Sequence, residues 1–247
     1  MKRFLKNIFR RATQLCGFEI IPYMVSHPNG RKFNRLIIDS SDSMTDLCKL
    51  GVTYPTDKSP YNQNTRYRHP YTAVYDLLFS GLRFEPIRFG EIGIEKNQSM
   101  MCWRAYFPNA TLYGWDVDEE KIKNAQRASL VNTHYGRMNV KDGGSIVSGL
   151  SSLPERLDVL IDDSTHEFED QVRIVVHGLQ YIKPGGVLVI EDIFQGRDGY
   201  DEDLYANALA SVKKYFSSML FVECRHVNRY SPGWNNDKLL VMFRNNE

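Results

Sequence analysis

Two short runs concentrate the side chains able to do chemistry, Asp162-Asp163-Ser164-Thr165-His166 and Glu191-Asp192. Each ends a nearly pure apolar stretch, LDVLI and GVLVI, of the kind that forms a strand buried on both faces. If those strands are neighbours, four acids and one histidine meet at a single sheet edge. Like charges in contact raise one another's pKa and call for a cation among them. A donor set dominated by oxygen suits a hard ion such as Mg²⁺, whereas zinc would want more nitrogen or sulfur. His166 follows Asp163 by three residues, so a turn or helix start puts both on one face. In that company it reads as a general base beside a metal-bound hydroxyl; on its own it would read as a capping or core histidine.

A second group lies upstream. The run PIRFGEIG ends in Gly90-Glu91-Ile92-Gly93, where glycine lets the backbone approach a ligand and the next helix start favours an anionic group. The following run, ATLYGWDVD, ends in Trp115-Asp116, and a carboxylate there can accept from two ribose hydroxyls or simply cap a turn. Glu91 and Asp116 at the ends of successive strands point to an adenosine-type cofactor.

The elements that must hold these groups alternate. Seven strand-like runs, from PIRFGEIG to KLLVMFRN, are separated by segments of helical periodicity, with the final two runs joined only by the polar loop VNRYSPGWNND. Such alternation predicts an α/β fold: a doubly wound, mostly parallel seven-stranded sheet with an antiparallel C-terminal hairpin at one edge. Ligands of such sheets bind outside the carboxyl ends of the strands, where the acids cluster. Residues 51–247 form this domain. The stretch GVTYPTDKSPYNQNTRYRH is long and rich in Pro, Asn, Ser and Thr, so it reads as a lid or binding loop.

Residues 1–50 read as a separate basic, helical extension. Residues 1–35 carry eight Lys and Arg against Glu19 alone, although the whole chain of 247 residues has a net charge of only +1. Apolar residues Phe4, Leu5, Ile8, Phe9, Ala12, Leu15 and Cys16 recur at helical spacing up to Gly17. That helix would either lie on an anionic membrane surface, contacting it through residues 1–24, or dock on the body or on another subunit. No apolar run approaches the ~20 residues that cross a bilayer. Four cysteines without a C-x-x-C pair indicate neither a zinc ribbon nor a disulfide scaffold and suit a reducing compartment. The body lacks a basic stripe, which speaks against nucleic acid as a partner. A cytoplasmic protein, with peripheral contact at the inner membrane face and room for oligomer formation, is the expectation.

Taken together, GEIG, YGWDVD, IDDSTH, KPGG and VIEDIF resemble a class I S-adenosylmethionine-dependent methyltransferase. The chain is similar in particular to metal-dependent sugar O-methyltransferases of the mycinamicin VI O-methyltransferase type. The likeness covers roughly residues 51–195 and takes in Thr56-Asp57-Lys58, His69, Tyr71, Thr72, Tyr75, Ser99 and Trp103. It implies a Rossmann-like fold, S-adenosyl-L-methionine and Mg²⁺ as cofactors, metal ligands Asp163, Glu191 and Asp192, and His166 as base. It further implies that Glu91, Gly93, Ser99, Asp116 and Asp142 line the cofactor, with the Lys58 loop and Tyr71 closing over its methionine end. The loop Gly93 to Ser99 is poorer in glycine than is usual for the family. The implied reaction is methylation of a sugar hydroxyl in a surface glycan or a glycosylated natural product. The same metal chemistry would serve a catechol or other small diol, and a non-catalytic methyltransferase-like binding module is the reading from another class. Tyr230 and Trp234 in the last loop could stack on a sugar ring or pack as a hairpin loop.

Overall fold

Each apolar run becomes a strand because its alternate side chains are buried on opposite faces of one sheet. In β6 (Leu157–Asp162), Val159 and Ile161 enter one hydrophobic core while Leu160 enters the other. In β7 (Ile182–Ile190), Val187 and Val189 oppose Leu188 and Ile190 in the same way. In β9 (Lys238–Arg244), Leu239 and Val241 oppose Leu240 and Met242. Two cores, one on each face, are what a doubly wound sheet requires. The computed structural model describes residues 17–23 and 34–246.

The remaining strands are β1 (Glu19–Tyr23), β2 (Asn34–Asp39), β3 (Arg88–Ile92), β4 (Thr111–Asp116), β5 (Thr133–Arg137) and β8 (Phe216–Arg225). Their order across the sheet is β1-β2-β8-β9-β7-β6-β3-β4-β5. Strands β3 to β7 run parallel to their neighbours, and β9 is antiparallel to both β7 and β8. All seven expected strands are present, but the sheet has nine. The two additions come from within residues 1–50: β2, over the LIID segment that reads from the sequence as a short extended piece, pairs in parallel with β8, and β1, which was not expected, pairs antiparallel with β2. The C-terminal hairpin is therefore interior to the sheet. The open edge of β8 is what β2 satisfies, reinforced by an Arg35–Glu223 ion pair at 2.7 Å.

The sequence offers Ser40 to Ser43 as caps for a helix through MTDLCKL; the helix Asp46–Thr53 is there, but its N-cap is Thr45, whose hydroxyl accepts from Cys48 N. One helix, Gly143–Ser151, was not expected; its three glycines obscure a helical pattern, and Asp142 caps it through Gly144 N at 2.9 Å. The amphipathic helix expected over residues 4–16 lies outside the described residues, as does most of the expected membrane-contacting segment. Among the described residues no helix is long and apolar enough to cross a membrane.

The sheet order reverses between β3 and β6, the topological switch at which ligands of such folds bind. Register aligns the strand ends there: Ile92 is paired with Asp162, and Asp162 with Ile190. Gly93, Asp163 and Glu191 consequently emerge side by side.

Candidate active site

The crevice at the switch opens into a cleft of about 470 Å³. Its tightest point is Gly93, at φ +92, where an added Cβ would sit 2.0 Å from the Asp163 carbonyl oxygen. Only glycine lets the loops after β3 and β6 approach this closely, which explains the glycine read from the sequence. Gly93, Ser99 and Asp116 line one half of the cleft; Asp163, His166, Glu191 and Asp192 line the other.

In the first half, Asp116 accepts from Glu95 N (3.2 Å) and Asp118 N (3.0 Å), so it is fixed by the turns on both sides of it. Glu91 lies behind this surface with no exposure, and neither carboxylate oxygen has a hydrogen bond of good geometry. Burial pushes its carboxyl up to about 7, against the opposing influence of Lys58 (3.4 Å) and Ser99. Asp142 does not reach the cleft. It is an exposed helix cap, and the preceding residues Met138 to Lys141 form the wall in its place.

The second half is organised by Lys58, which sits on the long loop after the Asp46–Thr53 helix. Its ammonium is buried and contacts Asp163 and Glu191, the latter at 2.6 Å. Desolvation works to lower its pKa, but the carboxylates of Asp163, Glu191 and Glu91 outweigh it and hold the ammonium well above its ordinary value. Burial in turn raises the carboxyls of Asp163 and Glu191, with Lys58 acting against it. Lys58 is thus an internal counter-ion, and with Thr56 and Asp57 it lines the cleft. The loop carrying it is a fixed wall, with Thr56, Ser59 and Asn62 all buried.

Accounting for each oxygen shows what remains for a cation. Glu191 uses one oxygen for Lys58 and the other for the Tyr75 hydroxyl. Asp163 Oδ2 also faces Lys58, leaving Oδ1 at 4.0 Å from His166 Nε2. Asp192 Oδ1 accepts from the Tyr71 hydroxyl, leaving Oδ2 at 3.6 Å from His166 Nε2. Asp163, His166 and Asp192 each place a ligand atom within 4.8 Å of the others. The two free carboxylate oxygens fit a hard divalent cation, with His166 Nε2 beside them. Glu191, expected as a third ligand, is committed elsewhere. Asp162 accepts from the Ser164 hydroxyl at 2.6 Å, and burial pushes its carboxyl up to about 7.

Tyr71 is fully buried and supports Asp192, so it does not close over a cofactor. His69 was read from the sequence without a role. Its Nδ1 lies 2.9 Å from Asp237 and 3.7 Å from Asp192. Burial works to neutralise the ring, yet Asp192 and the hydrogen-bonded Asp237 raise its pKa to about 9, leaving it cationic at neutral pH. Tyr75, His69 and Asp237 have no local motif. Their contribution depends on a helix, a loop and a hairpin that meet only in the fold.

Residues 91–193 match the family model described as a methyltransferase domain. The matched segment spans the switch-point crevice from Glu91 to just past Asp192. Among curated relatives, demethylmacrocin O-methyltransferase of Streptomyces fradiae is 29% identical over 180 residues, covering 67% of this chain and 44% of the relative. Mycinamicin VI 2''-O-methyltransferase of Micromonospora griseorubida is 24% identical over 203 residues, covering 76% of this chain and 48% of the relative. The chain thus spans less than half the length of these relatives. Among solved structures, the MycE methyltransferase of the mycinamycin pathway, in complex with Mg, SAH and mycinamycin VI, superposes with a TM-score of 0.62. The identity is 18%, covering 82% of this chain and 56% of that one, so the likeness is one of fold, a Rossmann-like architecture.

Proposed function

We propose that the chain is an S-adenosylmethionine-dependent, Mg²⁺-dependent O-methyltransferase that acts on a sugar hydroxyl of a glycosylated natural product or surface glycan. The observation that carries this reading is the division of one cleft into two chemically distinct halves. One half, Gly93, Ser99 and Asp116, with Glu91 buried behind them, matches the needs of an amino-acid and ribose end: a glycine turn, a hydroxyl and a strand-end acid. The other half presents free carboxylate oxygens of Asp163 and Asp192 for a hard cation, with His166 Nε2 beside them. The curated relatives that cover two thirds or more of this chain include enzymes named for methylation of macrolide or tetracenomycin glycosides.

When bound, S-adenosylmethionine supplies an electrophilic methyl group, and Mg²⁺ held by Asp163 and Asp192 acidifies a hydroxyl. The chain's own residues do the rest. Lys58 and Tyr75 hold Glu191 so that the acid cluster does not collapse, while Tyr71 orients Asp192. His166 Nε2 receives the proton of the acceptor hydroxyl. His69 is unsuited to that task because its flanking carboxylates keep it protonated. Alignment of donor and acceptor across the two halves supplies most of the acceleration, since the methyl group is already activated.

The test is a calorimetric titration of S-adenosylhomocysteine into the full chain with Mg²⁺ present. Saturable one-site binding supports the reading and justifies an acceptor screen with rhamnosylated and other 6-deoxyhexosylated compounds. Absence of binding removes its foundation.

A further inference from the structure

Immediately outside Asp192, three segments distant in sequence bring aromatic rings together. Phe194 follows β7, Tyr67 comes from the Lys58 loop, and Trp234 comes from the loop between β8 and β9. The Trp234 ring lies 5.2 Å from Phe194 and 6.3 Å from Tyr67, centroid to centroid. Tyr67 is in turn stacked at 6.4 Å on His69, a wall residue of the cleft. A continuous ring path therefore leads from the metal half of the site to the surface, where Trp234 keeps 42% exposure.

The platform is fixed in place. Arg68 and Tyr230 exchange backbone hydrogen bonds at 2.7 and 3.1 Å, Gln195 N donates to Asn235 O at 2.7 Å, and Arg229 clamps Asp237 and the Trp234 carbonyl. An exposed indole on a rigid loop loses little entropy on binding. The same loop holds Ser231 Oγ and Asn236 Oδ1, both buried and without a partner in the chain. Aromatic faces beside unused polar groups suit a ligand that is apolar on its C–H faces and hydroxylated at its rim, which describes a pyranose ring.

We propose that Trp234, backed by the buried Phe194 and edged by Tyr67, forms a stacking subsite for a second sugar ring, adjacent to the ring whose hydroxyl is methylated. The acceptor class is thereby narrowed to glycosides of at least two rings. This proposal rests on the sugar O-methyltransferase reading above and adds the subsite to it.

The chain's three tryptophans make the test direct. Trp103 and Trp115 are buried, so iodide-quenchable emission reports on Trp234. A rhamnosyl disaccharide and methyl α-L-rhamnoside are titrated separately into the full chain loaded with S-adenosylhomocysteine and Mg²⁺. The disaccharide is expected to shield Trp234 from iodide, and Trp234→Ala to weaken its binding about five- to tenfold, the scale of one lost aromatic stack. Trp234→Phe should restore most of that affinity, and the monosaccharide should bind wild type and Trp234→Ala alike. Equal loss for both glycosides, or no shielding by the disaccharide while S-adenosylhomocysteine still binds, overturns the subsite and leaves the methyltransferase reading standing. Failure of S-adenosylhomocysteine itself to bind overturns both.

Discussion

The roles of the two candidate imidazoles are separated by their surroundings. His69 is enclosed by Asp192 and Asp237, whereas His166 sits at the cleft wall with 23% of its side chain exposed. Replacing His166 by Ala should lower turnover by ~10²–10⁴-fold, the usual worth of a general base, while leaving S-adenosylhomocysteine affinity unchanged. Stopped-flow turnover with a parallel Mn²⁺ titration checks this; loss of Mn²⁺ binding in the variant would make His166 a ligand instead of a base. Lys58 makes a different demand. Its removal leaves buried carboxylates without their cation, and breaking a buried pair in this manner costs ~3–5 kcal/mol. Lys58→Met should therefore unfold at markedly lower urea concentration than wild type. An unchanged midpoint would mean that the acids do not depend on the lysine.

At the scale of elements, the acid-bearing strand ends were legible because buried parallel strands leave an unmistakable apolar run before a carboxylate. The helix Gly143–Ser151 was not, because three glycines and three serines dilute its apolar face. The extended character of LIID in β2 was legible, but β1 and the place of both strands in the sheet were not: that place is set by the unpaired edge of β8, a partner some 185 residues away in the chain, as in the Ser40–Arg225 hydrogen bonds. The Glu223 pair on that seam gives a pH prediction. Burial raises the Glu223 carboxyl, but hydrogen bonds and charge from Arg35 and Arg225 prevail and hold it below 4.5. A carboxyl lowered in the folded state contributes stability that is full above its unfolded pKa and is lost as pH falls through the folded value. Acidification below about 4.5 should accordingly loosen β2 from β8, with faster amide exchange over residues 34–39. Glu223→Gln should bring that fast exchange to neutral pH and abolish its pH dependence; equal exchange in wild type and variant would rule the pair out as the seam's support.

For the whole molecule, the fold assembles the site by register: one sheet reversal places Gly93, Asp163 and Glu191 side by side, and everything else converges on them. The motif residues Glu91, Asp116, Asp163, His166 and Asp192 could be read from sequence because each sits at or just past a strand end. The roles of Lys58, Tyr71 and Tyr75 could not, because they are settled by which carboxylate oxygen each side chain reaches. The two halves of the cleft share the backbone of β3 and β6, yet Asp116 is held by its own turns and owes nothing to the cation-binding atoms. Binding of the adenosyl cofactor and binding of the metal should therefore be separable. Exhaustive chelation with EDTA is expected to abolish methyl transfer while changing S-adenosylhomocysteine affinity by less than about twofold, under ~0.4 kcal/mol. Mg²⁺ added back should restore turnover, and Asp192→Asn should leave the protein unresponsive to that addition. If chelation instead removes cofactor affinity, the halves are coupled through Lys58, the one side chain that reaches both Glu91 and Asp163 among the described residues.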